Sequence, residues 1–134
     1  MTATGAPLPR WEAWRSMAMF VGHWQLRGYG VWAVEEKATG AFIGRVGLHN
    51  PDGWPGIEVG WTLGRASWGK GFATEAGRAA LTWSFDALGL DHIISLIHPE
   101  NARSIRVAER LGMKFECDAE VCGGIKVVVY GRNR

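Results

Sequence analysis

The segment Trp68-Gly-Lys-Gly-Phe-Ala-Thr-Glu-Ala76 has the residue types and spacing to hold an anion on backbone donors. Gly69 and Gly71 lack the Cβ atoms that would keep a ligand away from the main chain. Phe72 and Ala73 open an apolar-periodic run, and the first N–H groups of a helix have no partner within it. Together with the helix dipole, such donors form a phosphate site. Lys70 sits in the loop, and Arg65 and Arg78 flank it. A bare Gly-x-Gly before a helix is also an ordinary turn, so other phosphate loops must be compared. A dinucleotide fingerprint wants Gly or Ala three residues after Gly71, where Thr74 stands, and wants its first Gly directly after a strand. Five residues separate Leu63 from Gly69. A P-loop wants Lys and then Ser or Thr after its last Gly, but Phe72 follows Gly71. Both alternatives fail on spacing.

The loop needs a strand leading in and a helix leading out, and the flanking sequence supplies both. Ile57–Leu63 reads as a strand, and Phe72–Leu88 as a helix whose Ala73, Ala76, Gly77, Ala80, Leu81, Ser84, Phe85 and Leu88 share one small, apolar face. Upstream, Trp11–Leu26 has Trp14, Met17, Ala18 and Val21 at helical spacing and ends at Gly28. Tyr29–Glu35 and Ala41–His49 form a hairpin, and Asn50-Pro-Asp-Gly53 is a turn. Downstream, the apolar run His92–Ile97 fits a buried strand. Asn101 is a good N-cap for a helix to Leu111, and strands follow near Lys114–Val121 and Lys126–Tyr130. Residues 1–10 look like a loose tail. The order α-β-β-β-α-β-α-β-β predicts an α+β fold, a mixed sheet with flanking helices.

Composition bounds the rest. A length of 134 residues, 47% hydrophobic and 21% charged, suits one soluble domain spanning 1–134. A net charge of +2 gives no argument for a nucleic-acid partner. Cys117 and Cys122 have neither redox-pair spacing nor a nearby His pair, so reduced thiols and no metal are expected. No run approaches the ~18 apolar residues of a membrane span, and the N-terminus has no signal-peptide pattern. A cytoplasmic location is the expectation. Eight tryptophans suit either core packing or an acceptor pocket or subunit contact.

Two motifs together resemble the GNAT superfamily of N-acetyltransferases, particularly the branch that acetylates ribosomal-protein N-termini. One is Glu58-Val-Gly-Trp-Thr-Leu63 followed by Trp68–Ala76. The other is His98-Pro-Glu-Asn-Ala-Arg-Ser-Ile-Arg-Val-Ala-Glu-Arg-Leu-Gly-Met-Lys-Phe115. The family pattern favours Gln or Arg three residues before the first Gly, where this chain has Ala66. The resemblance implies acetyl-coenzyme A as co-substrate and a mostly antiparallel sheet with a splayed central parallel pair. Its pyrophosphate would lie on Trp68, Gly69, Lys70, Gly71, Phe72, Ala73 and Thr74. Pantetheine would lie along Trp61, Thr62 and Leu63, between the strands Ile57–Leu63 and His92–Ile97. Asn101 would face the coenzyme, and Arg106, or Arg103 or Arg110, would meet its adenosine phosphate. A solvated helix face is the alternative for these arginines.

Acetyl transfer to an amine needs a base, a donor to the thioester oxygen and an acid for the thiolate. Glu58, the lone carboxylate of an apolar strand, is the candidate base, with a rim carboxylate that attracts a cationic amine as the alternative. Ser104 matches the family's hydroxyl near the sulfur, with first-turn helix polarity as the alternative, and Tyr130 stands second. The acceptor is expected to be a peptide N-terminus or a small amine. The family also implies a strand and helix upstream of Trp11 that this chain is expected to lack. This motivates a rival of another class, a non-catalytic coenzyme-A-binding or regulatory protein. It would also leave Tyr29–Glu35 as a sheet edge, and a homodimer through this edge and the first helix is expected.

Overall fold

The computed structural model describes residues 6–134, so half of the expected N-terminal tail lies outside the described residues. Ten elements follow in order: α1 (Arg10–Arg27), β1 (Val31–Glu36), β2 (Ala41–His49), β3 (Glu58–Leu63), a 3-10 turn at Arg65–Ser67, α2 (Phe72–Asp86), β4 (His92–Ile97), α3 (Ala102–Arg110), β5 (Lys114–Val121) and β6 (Ile125–Asn133). Apart from the short turn this is the sequence-read order, with end shifts of a few residues. The strands form one mixed sheet, β1-β2-β3-β4-β6-β5, in which only β3 and β4 are parallel. The fold class is α+β, with three helices around a mostly antiparallel sheet.

Side-chain alternation along β2 and β3 separates the two faces. Val46, Leu48, Val59 and Leu63 turn to one face and pack with Ala80, Leu81 and Phe85 of α2 and Ala108 of α3. Gly77 is where α2 meets the end of α3, because a Cβ there would stand 2.8 Å from Leu111 Cδ1. The apolar stripe read on α2 is the buried one. Arg45, His49 and Glu58 turn to the opposite face, where α1 lies.

The apolar stripe read on α1 is not the docking face. Trp14, Met17 and Val21 are 66%, 64% and 69% exposed, and His23 is the buried residue. Periodicity marks a face but not the neighbour it meets, and here hydrogen bonds set the docking. His23 Nε2 accepts from the Asn50 N–H at 2.9 Å, which fixes the imidazole proton on Nδ1, 2.8 Å from the Tyr29 carbonyl. The last turn of α1 reaches the β1 edge, where Trp24 Nε1 donates to the Val31 carbonyl at 2.8 Å. Gly30 permits this approach, since a Cβ would lie 2.6 Å from the Trp24 ring. Trp24 also packs against Trp32, which meets Trp83 edge-on at 5.0 Å. The β1 edge is thus partly capped, and a bulge between Val34 and Glu35 bends it further.

Candidate active site

The parallel pair is joined at a single register position, Glu58 opposite Ile94, with the Ile94 N–H donating to the Ile57 carbonyl at 3.1 Å. The next donor on β4, the Leu96 N–H, has no strand partner. It turns to Glu58 Oε1 at 3.4 Å. Beyond this point β3 and β4 part. Register with β2 leaves the Val59 carbonyl and both peptide groups of Trp61 facing the gap, while Thr62 is committed to its antiparallel partner Arg45. Of the three strand residues expected along the coenzyme, Trp61 and Leu63 are placed to present backbone there and Thr62 is turned away.

Glu58 is the half-buried carboxylate at this opening. Trp54 Nε1 donates to its Oε2 at 2.8 Å, which holds the side chain across the gap. Burial is the main cause that pushes its pKa up from the ordinary 4.5 to about 7, against opposing hydrogen bonds from Trp54 and Leu96 and the charge of Arg45. A base poised near neutral pH is what proton abstraction from an amine requires. Beside it His49, its cross-strand partner, has its pKa lowered to about 4 by burial, then by His23 and Arg45. The His49 Nδ1 is buried without a hydrogen-bond partner.

Ser104 lies on the other side, in the first turn of α3. Trp61 Nε1 donates to its Oγ at 3.3 Å. Indole nitrogen only donates, so the hydroxyl accepts here and its own hydrogen remains free to be given elsewhere. Asn101 is the N-cap of α3, its Oδ1 accepting from the Ser104 N–H at 3.2 Å. Its amide NH2 is left for a ligand.

The loop keeps its donors open. Gly69 and Gly71 take the left-handed conformation (φ 74° and 81°), and a Cβ on either would enter open space. No side chain caps α2, and the first helical bond closes from the Glu75 N–H to the Gly71 carbonyl at 3.0 Å. The N–H groups of Phe72, Ala73 and Thr74 are therefore available. Trp68 braces the loop through Nε1 to the Leu63 carbonyl at 2.9 Å, and the guanidiniums of Arg103 and Arg65 lie 4.9 and 5.4 Å from its ring centroid. These two arginines and Lys70 supply the cations around the loop. Arg78 does not join them, because its guanidinium donates to the Arg110 carbonyl at 3.4 Å, at the far end of α3. Arg106 is exposed on α3. These features suit a pyrophosphate. Among the described residues, no three His, Cys, Asp or Glu side chains gather to hold a metal ion, and no helix is long and apolar enough to cross a membrane.

The sequence reading missed Arg45, His49, Trp54 and the Leu96 N–H. Trp54 carried a faint signal, since it follows the Asn50–Gly53 turn four residues before Glu58. The others depend on strand pairing.

Glu58 and His49 predict opposed pH effects. The acid with a raised pKa stabilises fully below about 4.5, and this is lost as pH rises through about 7. The base with a lowered pKa stabilises above about 6.5, and this is lost as pH falls through about 4. Each slope is at most ~1.4 kcal/mol per pH unit, and His49 falls short of that because part of its ring meets water. Relative to wild type, Glu58→Gln should therefore tilt stability upward with pH across this window, and His49→Asn downward. Urea unfolding at several pH values in that window checks both. Parallel profiles for all three proteins would refute the assignment.

Known proteins share this architecture. The family described as "Acetyltransferase (GNAT) domain" matches residues 1–114. The YkkB protein of Bacillus subtilis is 40% identical over 93 residues, covering 66% of this chain and 54% of its own. The N-acetyltransferase p20 of Bacillus licheniformis, itself uncharacterised, is 37% identical over 98 residues, covering 70% of this chain and 55% of its own. This chain thus spans about half the length of either relative. An acetyltransferase crystal structure from Agrobacterium tumefaciens superposes with a TM-score of 0.87 at 29% identity, covering 98% of this chain and 76% of that one. A parted parallel pair beside an uncapped, glycine-led helix, with a family match over most of the sequence, gives one conclusion: this chain belongs to the GNAT acetyltransferase family.

Proposed function

We propose that residues 1–134 act as one N-acetyltransferase domain that moves acetyl from acetyl-coenzyme A directly to a primary amine, of a peptide N-terminus or a small molecule. The opening between β3 and β4 carries this reading, with a carboxylate of raised pKa on the α1 side and a free hydroxyl hydrogen on the α3 side. Bound along the gap, acetyl-coenzyme A supplies the activated thioester. Its pyrophosphate would rest on the open N–H groups at Phe72–Thr74 and on Gly69–Gly71, with Arg65, Lys70 and Arg103 around it. Glu58, through a water, takes the proton that the amine loses as its nitrogen bonds to the acetyl carbon. The Trp61 N–H polarises the thioester oxygen. Ser104 gives a proton to the sulfur as the carbon–sulfur bond breaks. The two proton-handling groups then serve opposite faces of the gap, so acceptor and coenzyme approach from different sides.

Glu58→Gln should lower kcat/KM at neutral pH by ~10²–10⁴-fold, with partial rescue as rising pH deprotonates the amine. Ser104→Ala should lower kcat more than it weakens coenzyme binding. The wild-type profile should rise through an apparent pKa near 7. Coenzyme A release against a panel of amines measures this, and rates near wild type in both variants would remove the acid–base roles. The absence of turnover with any amine would favour a binding protein instead.

Gly71→Val tests the cradle separately. The branched Cβ must adopt a left-handed conformation and would fill the space a phosphate needs. Acetyl-coenzyme A binding should be lost by isothermal titration while circular dichroism stays native. Affinity within about twofold of wild type, only ~0.4 kcal/mol, would sink the assignment.

The exposed stripe of Trp14, Met17 and Val21, with Trp11 and Leu26 also exposed, supports a homodimer through α1 and the neighbouring β1 region. Sedimentation equilibrium at micromolar concentration should give twice the 14.7 kDa of one chain. A mass of one chain would exclude the dimer.

A further inference from the structure

The sheet face that meets α1 carries a guanidinium with no direct ion-pair contact among the described residues. Arg45 stands half-buried on β2 with its Cζ 4.2 Å over the Phe20 ring. Among the described residues it has no ion pair and no hydrogen bond to its five N–H donors. Glu58 is near enough to act on it electrostatically, yet the Glu58 oxygens accept from Trp54 Nε1 and the Leu96 N–H and not from Arg45. None of the Arg45 nitrogens is among the buried polar atoms without a partner, so the fork reaches solvent and stands open to an acceptor that arrives with a ligand.

Rings link this cation to the base. Phe20 lies 5.4 Å from His49, and His49 meets Trp54 edge-on at 5.4 Å. Trp54 in turn holds Glu58. One wall therefore has a proton acceptor at one end and a planar, fork-shaped cation at the other. A carboxylate matches that fork with two parallel hydrogen bonds, which an ammonium or a neutral amide cannot do.

We propose that Arg45 is the specificity-determining residue of the acceptor site, binding a carboxylate of the acceptor, whose amine lies at Glu58. The inference rests on Glu58 marking the amine side of the gap. It selects amino acids and related amino carboxylates over plain alkylamines. The row of rings packs against the chain that joins the amine to the carboxylate.

The test uses ω-amino carboxylates of increasing chain length, from glycine to 6-aminohexanoate, each against the n-alkylamine of equal carbon number. Initial rates with acetyl-coenzyme A give kcat and KM, and titration into the coenzyme-A-bound protein gives affinity. At the length that spans the wall, the amino carboxylate should exceed its alkylamine in kcat/KM by about tenfold or more, the scale of one charge-assisted pair. Arg45→Gln should erase that preference, raising KM for amino carboxylates more than for alkylamines, and Arg45→Lys should keep part of it. Equal kcat/KM within every pair, or an Arg45→Gln loss shared equally by amino carboxylates and alkylamines, would overturn the proposal. Should no amine be acetylated, the transferase reading fails and the titration decides alone. Amino carboxylates that bind wild type and not Arg45→Gln support the subsite, and equal binding refutes it. Should Arg45→Gln lose its native circular dichroism, the wild-type pairs and Arg45→Lys carry the decision.

Discussion

The parting of β3 and β4 depends on one hydrogen bond that a regular ladder would not contain. After the Ile94 N–H bonds to Ile57, the next β4 N–H facing β3 belongs to Leu96, and in a continuing parallel pair it would reach β3 backbone. The Glu58 carboxylate takes it instead. Satisfying that donor removes the cost of an unpaired buried amide at the point of separation. Burial at the same point raises the pKa of the carboxylate, against the opposing effect of this hydrogen bond. The carboxylate that satisfies the donor at the separation point is thus also the one whose proton affinity burial raises.

The opening has two unlike sides because the flanking helices dock by different means. On the α2 and α3 side, packing is apolar and close, with Leu48, Val59, Leu81 and Ile93 almost fully buried. Such a core positions the loop and Ser104 rigidly. On the α1 side the contacts are aromatic and polar. His23 bridges the Tyr29 carbonyl and the Asn50 N–H, and Phe20 covers Arg45. Polar and aromatic walls discriminate among small acceptors better than a purely apolar surface, since an unmatched polar group is penalised.

The treatment of helix starts shows the same economy. Asn101 caps α3 with its side chain, and Gly71 leaves α2 uncapped. An uncapped start exposes donors to whatever anion approaches. Trp68 compensates by tying the loop back to Leu63 and by stacking near two guanidiniums. The loop is therefore held in shape by side chains that leave its N–H groups free.

Much of this was legible in the sequence because it rests on local chemistry. Gly69 and Gly71 meet a left-handed requirement that few other residues tolerate, Asn101 is a cap by its side chain, and the small, apolar stripe of α2 fixes its buried face. Element order and fold class followed from periodicity, which the backbone obeys within each segment. What needed tertiary structure were choices between partners far apart in the chain. The α1 stripe of Trp14, Met17 and Val21 has clear helical spacing, yet hydrogen bonds of His23 and Trp24 turned it outward. Glu58 was recognisable as a carboxylate in an apolar strand. Its raised pKa needed burial that only the closed sheet provides, and its partner, the Leu96 N–H, is 38 residues away. Arg45 and His49 come to the same face as Glu58 through antiparallel register, and a shift of one residue would have turned them to the other side. The sequence by itself determined which residues could do chemistry. Strand pairing, which no local propensity encodes, decided which of them meet.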